Sequence, residues 1–325
     1  MADDELKKQL PFPYDKDLST VLTHLDRRTP FSRGRLANDP ATAAYLAAAM
    51  RLVQRHLGPS PDREPADPDD ENSVPRPLLS FLSQRAVAAE VANGPHPFPR
   101  QGSVAALRDR WKSQSDFIAD LLSFAMWIGN HPEGFYEEMA VGSERLLEGP
   151  DMIEAAHELA YMNVEGALDV PSFRFGFAAM IGAEGDPTIA KAVTKSYSDY
   201  LAPWKEVYSA FMQARGLQLR PGISVEDIAN LLAALVDGIA LRTMGDPSSG
   251  LIDRDRRRTL LGTAALAVVH SFMEPAENPD GMTLEDAVRA MVYREASKPG
   301  GEPAPGTTDV DAQPSAPDDT GGTPA

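Results

Sequence analysis

Apolar residues along this chain return at intervals of three and four, the period of a helix with one buried face, and no stretch alternates convincingly as a strand. Asp39-Pro40 opens the first strong segment, with Asp as N-cap and Pro at the first helical position, where its missing N–H costs nothing. Leu46, Met50, Val53 and Leu57 then share one face until Gly58-Pro59 ends it. The pattern predicts a helix over about 83–92, a Pro-rich loop over 94–99, and a short helix from Ser103. Beyond Ser113 it predicts helix after helix. Ser113 with Asp116, and Ser224 with Asp227, have the spacing in which a hydroxyl caps the first turn and a carboxylate three residues on reaches back. Asp186-Pro187 starts a long helix to about Arg215, kinked by Pro203 and stopped at Gly216. Further helices are predicted over 224–244, about 253–273 and 283–296. The expected fold class is all-α.

Polar segments divide this pattern. Residues 1–38 hold prolines, charges and one short apolar patch, Leu18 to Leu25, and are expected to form a flexible arm. Residues 58–77 place six prolines among Asp and Glu, a linker that cannot bury apolar area. Residues 297–325 carry almost nothing apolar and are expected to be a disordered tail.

Composition adds constraints. Cysteine is absent, which excludes disulfides, thiolate metal sites and a cysteine nucleophile. The N-terminus lacks a basic region followed by an apolar stretch, and no apolar run of spanning length is apparent, so a cytoplasmic protein with no membrane partner is expected. The net charge of -17 opposes nucleic-acid binding at first sight. From Arg76 to Lys112, however, six cations face two anions, and distant exposed charges are screened within roughly 8–10 Å in physiological salt. A second basic cluster comprises Arg27, Arg28, Arg33 and Arg35; a plain charged tail is the simpler account of it.

The stretch from Val104 to Leu122 carries the functional signal. Val104, Leu107 and Trp111 share one face of a short helix, Arg108 and Lys112 another, and a capped junction at Ser113 starts a new amphipathic helix. A recognition helix needs this layout: apolar residues pin it while cationic side chains reach into the major groove. Arg85, Arg100, Gln101, Ser103, Arg108, Arg110 and Lys112 are the candidate DNA contacts, with Arg108 and Arg110 directed to the groove. Such triplets can also be the solvated side of any amphipathic helix. Leu107, Trp111, Ser113, Asp116 and Phe117-Ile118 resemble the junction after the recognition helix of the TetR/AcrR family of transcriptional regulators, and Ala86 to Ala92 resembles its supporting helix. Leu217 to Ile228 and Leu231 to Arg242 are similar to the family's penultimate helix, where its dimer interface begins. The resemblance departs from the family in the 58–77 linker, in an expanded turn over 93–102, and in Arg108 where an aromatic is expected.

The resemblance implies a helix-turn-helix unit over 39–113, a helical ligand-binding and dimerisation domain over 114–296, and a double-stranded DNA operator as partner. It also implies a pocket for an unidentified small molecule, for which Trp127, Met152, His157, Tyr161, Phe173, Phe177, Met180, Tyr200 and Trp204 are candidates, although core packing must claim many of these. Leu231, Leu235, Val236, Ile239, Leu260, Leu261, Ala264 and Val268 form two apolar faces that the resemblance assigns to a homodimer interface. Catalysis finds little support: Glu154…His157 is half of a di-metal pattern with no second half, and no nucleophile elbow or phosphate-binding glycine loop occurs. The chain is therefore expected to be a ligand-controlled DNA-binding transcriptional regulator, a repressor, with no enzyme activity, cofactor or metal. The alternative is a dimeric helical sensor whose degenerate head does not read DNA.

Overall fold

The computed structural model describes residues 2–58, 79–127 and 135–293; the Pro-rich linker beyond Gly58 and the tail over 297–325 lie outside the described residues. The chain divides into two units between Gly281 and Met282. The first contains helices α1 (Ala2–Gln9), α2 (Pro30–Ala37), α3 (Pro40–Leu57), α4 (Gln84–Glu90), α5 (Val104–Arg110), α6 (Gln114–Ala125), α7 (Phe135–Glu148), α8 (Met152–Asp169), α9 (Pro171–Gly182), α10 (Pro187–Arg215), α11 (Val225–Gly245) and α12 (Leu260–Phe272). The described part of the second is helix α13 (Leu284–Val292), capped by Thr283 and without a buried residue. The fold is predominantly helical.

Local chemistry sets the helix ends. The Asp39 carboxylate accepts from the Ala41 N–H at the start of α3, and Asp186 accepts from Thr188 and Ile189 at the start of α10. Reciprocal capping boxes close on Ser113 and Asp116 and on Ser224 and Asp227. Gly216 ends α10 at φ 62°, a left-handed conformation that glycine adopts without a Cβ clash.

Four short strands depart from the strand-free expectation. β1 (Leu217–Leu219) pairs antiparallel with β4 (Met273–Pro275), with Gln218 opposite Glu274, and β2 (Ile252–Asp253) pairs antiparallel with β3 (Arg258–Thr259). The helix expected from about 253 consequently starts only at Leu260, because Arg254 to Arg257 form the turn between β2 and β3, with Arg257 at φ 51°. α11 also corrects the expectation that no segment has spanning length and apolarity: it is 21 residues long and contains an 18-residue stretch with a mean hydropathy of 1.4. Its inner face packs on α8, α10 and α12.

Two large apolar cores organise the first unit, beside a small cluster of Leu201, Ala229 and Ala233. One gathers residues of α3 to α6 around Tyr45, Trp111, Phe117 and Phe124, and the other gathers α7, α8, α11 and α12. α10 belongs to both, giving Ile189 and Ala192 to the first and Phe211 to the second. The division expected at 113–114 falls inside the first core, where the rings of Trp111 and Phe117 meet edge to face at 5.0 Å.

The expected flexible arm is the largest correction. Leu10, Leu18, Val21, Leu22, Leu25 and Ala37 are buried in the first core, enough apolar area to hold the segment down. A polar clamp fixes it further. The Asp120 carboxylate of α6 is fully buried. Its Oδ1 accepts from the backbone N–H groups of Thr23 (2.8 Å) and His24 (2.9 Å) and lies 3.0 Å from His24 Nδ1, while Oδ2 accepts from Trp111 Nε1 at 2.9 Å. Three separate stretches of chain thus meet on one carboxylate.

An amide at position 120 has a single acceptor oxygen for these two groups of donors. The substitution Asp120→Asn is therefore expected to destabilise the protein by about 3 kcal/mol in urea unfolding, because a buried donor is left facing an N–H. The His24 imidazole, hydrogen-bonded to Asp120, has its pKa raised. Its contribution should be present below the unfolded value of about 6.5 and lost as pH rises through the higher folded value. The stability difference between the parent and His24→Gln should accordingly be larger at pH 6 than at pH 9.

Candidate functional site

The basic helix α5 is held on three sides. Ser103 caps its start, and the Tyr45 hydroxyl donates to the Ser103 carbonyl at 2.9 Å while accepting from the Ser103 N–H at 3.0 Å. Gly102 admits close packing before it, since a Cβ there would sit 2.7 Å from the Ala88 carbonyl oxygen of α4. At its end, Asp26 N–H donates to the Arg110 carbonyl and Arg27 donates to both the carbonyl and the carboxylate of Asp109. A cation and an N–H at the C-terminus of a helix satisfy orphan carbonyls and complement its dipole.

The predicted basic face is split by this packing. Arg110 is only 9% exposed and donates to Thr42 Oγ1, the Ala106 carbonyl and Asp39 Oδ2, with its guanidinium over the Tyr45 ring. It is a strut between α5 and the start of α3, which corrects its assignment as a groove contact. Arg85, Arg100, Gln101, Ser103, Arg108 and Lys112 are exposed. Arg108 Nε donates to Gln84 of α4 at 2.8 Å, and Arg100 Nε donates to the Gly94 carbonyl, so both stems are oriented while their outer nitrogens face solvent. The acidic groups nearby are occupied: Glu90 is buried and paired with Arg51 and Arg55, and Asp109 with Arg27.

A chamber of about 510 Å³ lies at the junction of the two cores. The end of α6 supplies Met126 and Trp127, α7 Met139, α9 Phe173, and α10 Lys195, Ser196, Asp199, Tyr200, Pro203 and Trp204. Thr20 and Val21 of the N-terminal segment complete the wall. Two smaller spaces adjoin it through shared residues. One of about 100 Å³, between α8, α10, α11 and α12, is almost wholly apolar and shares Asn163, Tyr200 and Trp204 with the chamber. The other, a recess of about 20 Å³, shares Met126, Phe173, Ser196 and Tyr200 with it and adds Phe177, Met180, Tyr197 and Asp237. Tyr200 borders all three, and burial pushes its hydroxyl up to about 12. Such a space, apolar with a few convergent polar groups, has the size and character of an organic-ligand site.

Of the nine pocket residues read from the sequence, Trp127, Met152, Phe173, Phe177, Met180, Tyr200 and Trp204 line one or another of these spaces. His157 does not. It packs on α12, where an added Cβ at Gly262 would lie 2.4 Å from its Nδ1, and burial lowers its pKa. Tyr161 is also outside, its ring covered by the Arg257 guanidinium at 4.7 Å. Sequence reasoning missed Asn163, Ser196, Asp237 and the Thr20–Val21 wall. Asp237 had a usable signal, a lone acid within the apolar run from Leu235 to Leu241.

The predicted dimer residues also divide. Val236, Ile239, Leu261 and Val268 are buried in the second core of the same chain, so that assignment is corrected. Leu231 is 38% and Leu260 48% exposed, and Leu235 and Ala264 are partly exposed. With Ala234, Gly238 and Leu241 they leave small and aliphatic residues on the outer faces of α11 and α12.

No group of acidic, His or Cys side chains with metal-binding geometry occurs among the described residues. Compared with known proteins, the chain matches no family profile, no characterised protein and no solved structure.

The contrast between the two neighbouring arginines is directly measurable. Arg110→Ala removes three hydrogen bonds from a buried site and should cost about 2–3 kcal/mol in denaturant unfolding. Arg108→Ala, at an exposed site, should change stability by no more than about 0.5 kcal/mol.

Proposed function

We propose that this protein is a ligand-controlled, DNA-binding regulator of TetR-like organisation, in which an organic molecule in the chamber alters how the α4–α5 head meets DNA. One observation carries the reading. The segment from Leu18 to Arg27 touches both places: Thr20 and Val21 line the chamber, His24 is held on Asp120, and Asp26 and Arg27 cap the end of α5. A ligand that binds more tightly when this segment is displaced must shift the head by the same differential free energy, and DNA must in turn shift ligand affinity.

In this reading Arg108 is the groove residue. Arg85, Arg100 and Lys112 contact phosphates, supported by the polar Gln101 and Ser103 at the start of α5. A second copy packed on the Leu231, Leu235, Leu260 and Ala264 face would hold two heads at a fixed spacing, as a palindromic operator requires. The role in regulation, whether repression or activation, follows from where the operator lies.

A second reading keeps the chamber and the dimer but makes the head a protein-facing surface. The inward turn of Arg110 favours it, because α5 spans only seven residues and retains one outward arginine.

Selection of genomic fragments by the purified protein separates the two. The first reading expects a palindromic motif, loss of base preference with a cost of about 1–3 kcal/mol in Arg108→Ala, and a salt slope reduced by about one in Lys112→Ala. Motif-free binding, or none, establishes the second.

A further inference from the structure

Three carboxylates are buried among the described residues of the first unit, and each is matched by a basic side chain. Asp120 has His24, Glu90 has Arg51 and Arg55, and Glu274 has Arg220 at 3.6 Å. Asp237 is different. It stands on α11 between Val236 and Gly238, accepts a hydrogen bond from the Tyr197 hydroxyl, and forms no ion pair among the described residues. Burial raises its pKa, and no neighbouring cation opposes the rise. Even a partly buried charge without a counter-charge is costly, so its surroundings point to a missing partner.

The surroundings specify that partner. Asp237 borders the recess of about 20 Å³, whose walls include the rings of Phe173, Phe177, Tyr197 and Tyr200. Aromatic faces attract a cation where a carboxylate alone leaves its remaining surface uncovered. Lys195 and Asp199 at the chamber's exposed rim neutralise each other, which leaves Asp237 as the unbalanced charge among the described residues lining chamber and recess. The volume then chooses among cations. A space of this size admits one water-sized group, and a –NH3⁺ head has that size whereas a trimethylammonium does not. Its three N–H donors need acceptors, and the recess is lined by residues that carry them: the Asp237 carboxylate and the hydroxyl-bearing Tyr197 and Ser196.

We propose that the recess holds the head group of a primary organic ammonium whose apolar body lies in the adjoining chamber. This rests on the chamber being a ligand site, and it assigns the chemical class of that ligand. An arylalkyl amine meets both demands: the shared walls Met126, Phe173, Ser196 and Tyr200 lead from the recess into the larger space, where Trp127 and Trp204 present broad apolar surfaces.

The chain carries its own reporter, since two of its three tryptophans line the chamber. Tryptophan fluorescence of the full-length protein would be titrated with four probes of one length: 6-phenylhexylammonium, its N-trimethyl analogue, 6-phenylhexanol and 7-phenylheptanoate. The expected order places the primary ammonium about tenfold or more tighter than each of the others. Asp237→Asn should remove that preference while leaving the alcohol's affinity unchanged. Tyr197→Phe removes the hydroxyl but keeps the carboxylate, and should retain a preference for the ammonium; it decides the matter if the Asn variant fails to fold. Equal binding of ammonium and alcohol, tighter binding of the trimethyl compound or of the carboxylate, or a preference that survives Asp237→Asn would overturn the ammonium assignment while leaving the chamber a ligand site. Binding of none of the four would overturn both.

Discussion

The fold depends most on the Asp120 carboxylate. A fully buried acid is tolerable only if its oxygens are saturated, and Asp120 achieves this by drawing donors from three places: the backbone at 23–24, the His24 ring and the Trp111 indole. The consequence reaches beyond one site. Trp111 ends α5, Asp120 lies within α6, and residues 23–24 belong to a segment with no helix of its own, so saturating one carboxylate fixes the register of all three. The apolar burial of Leu18, Leu22 and Leu25 supplies adhesion, but adhesion is non-directional. The carboxylate supplies the direction.

That constraint explains why the basic helix has the shape it has. With Trp111 turned inward, the residue one position earlier has little freedom, and Arg110 is drawn to Thr42, Asp39 and the Ala106 carbonyl. Arg108, two positions before Arg110, is rotated about 200° around the helix and faces out. Two arginines of the same local sequence therefore do different work, one as a strut and one as a surface charge. The cations that remain exposed on the head are not cancelled locally, because Glu90 and Asp109 are already paired with Arg51, Arg55 and Arg27. An acidic protein can in this way carry a positive patch.

Much of this was legible in the sequence, and the failures share a cause. Helix boundaries set by local chemistry were readable, as at Asp39-Pro40, Ser113 with Asp116, Asp186-Pro187, Gly216 and Ser224 with Asp227, where the capping atom lies within three residues of the backbone it serves. The apolar stripe of α11 was readable, but not which half of it the chain would use for itself: Val236 and Ile239 face inward, Leu231 outward, and a periodicity cannot tell one partner from another. The arm was misread because its apolar residues, Leu10 to Leu25, are few and irregularly spaced, and the carboxylate that fixes its backbone, Asp120, lies 97 residues from Thr23. His157 and Tyr161 were misread for the converse reason, since their partners Gly262 and Arg257 come from a distant hairpin and helix. Of the candidate site, the aromatic walls and Tyr200 were foreseen, whereas Asn163, Ser196 and Asp237 were not.

The two internal acids together suggest why the chamber and the head are joined by a segment and not by a helix. A helix touching both would carry displacement as a rigid rod, and its own hydrogen bonds would resist a change in length. The stretch from Leu18 to Arg27 has few internal bonds to break: Val21 and Leu22 reach back to Leu18, and Arg27 to Leu25. Its position instead comes from bonds to other elements, at Asp120 in the middle and at Asp109 and Arg110 at the end. Such a strap has a small number of discrete attachments, and releasing any one changes where the next can sit. In the proposed regulator, a few discrete contacts of this kind, more than continuous deformation, would turn a small displacement at one site into a defined change at another. Asp120, whose oxygens are saturated, resists that change, whereas Asp237, which forms no ion pair among the described residues, lines the recess that adjoins the same chamber.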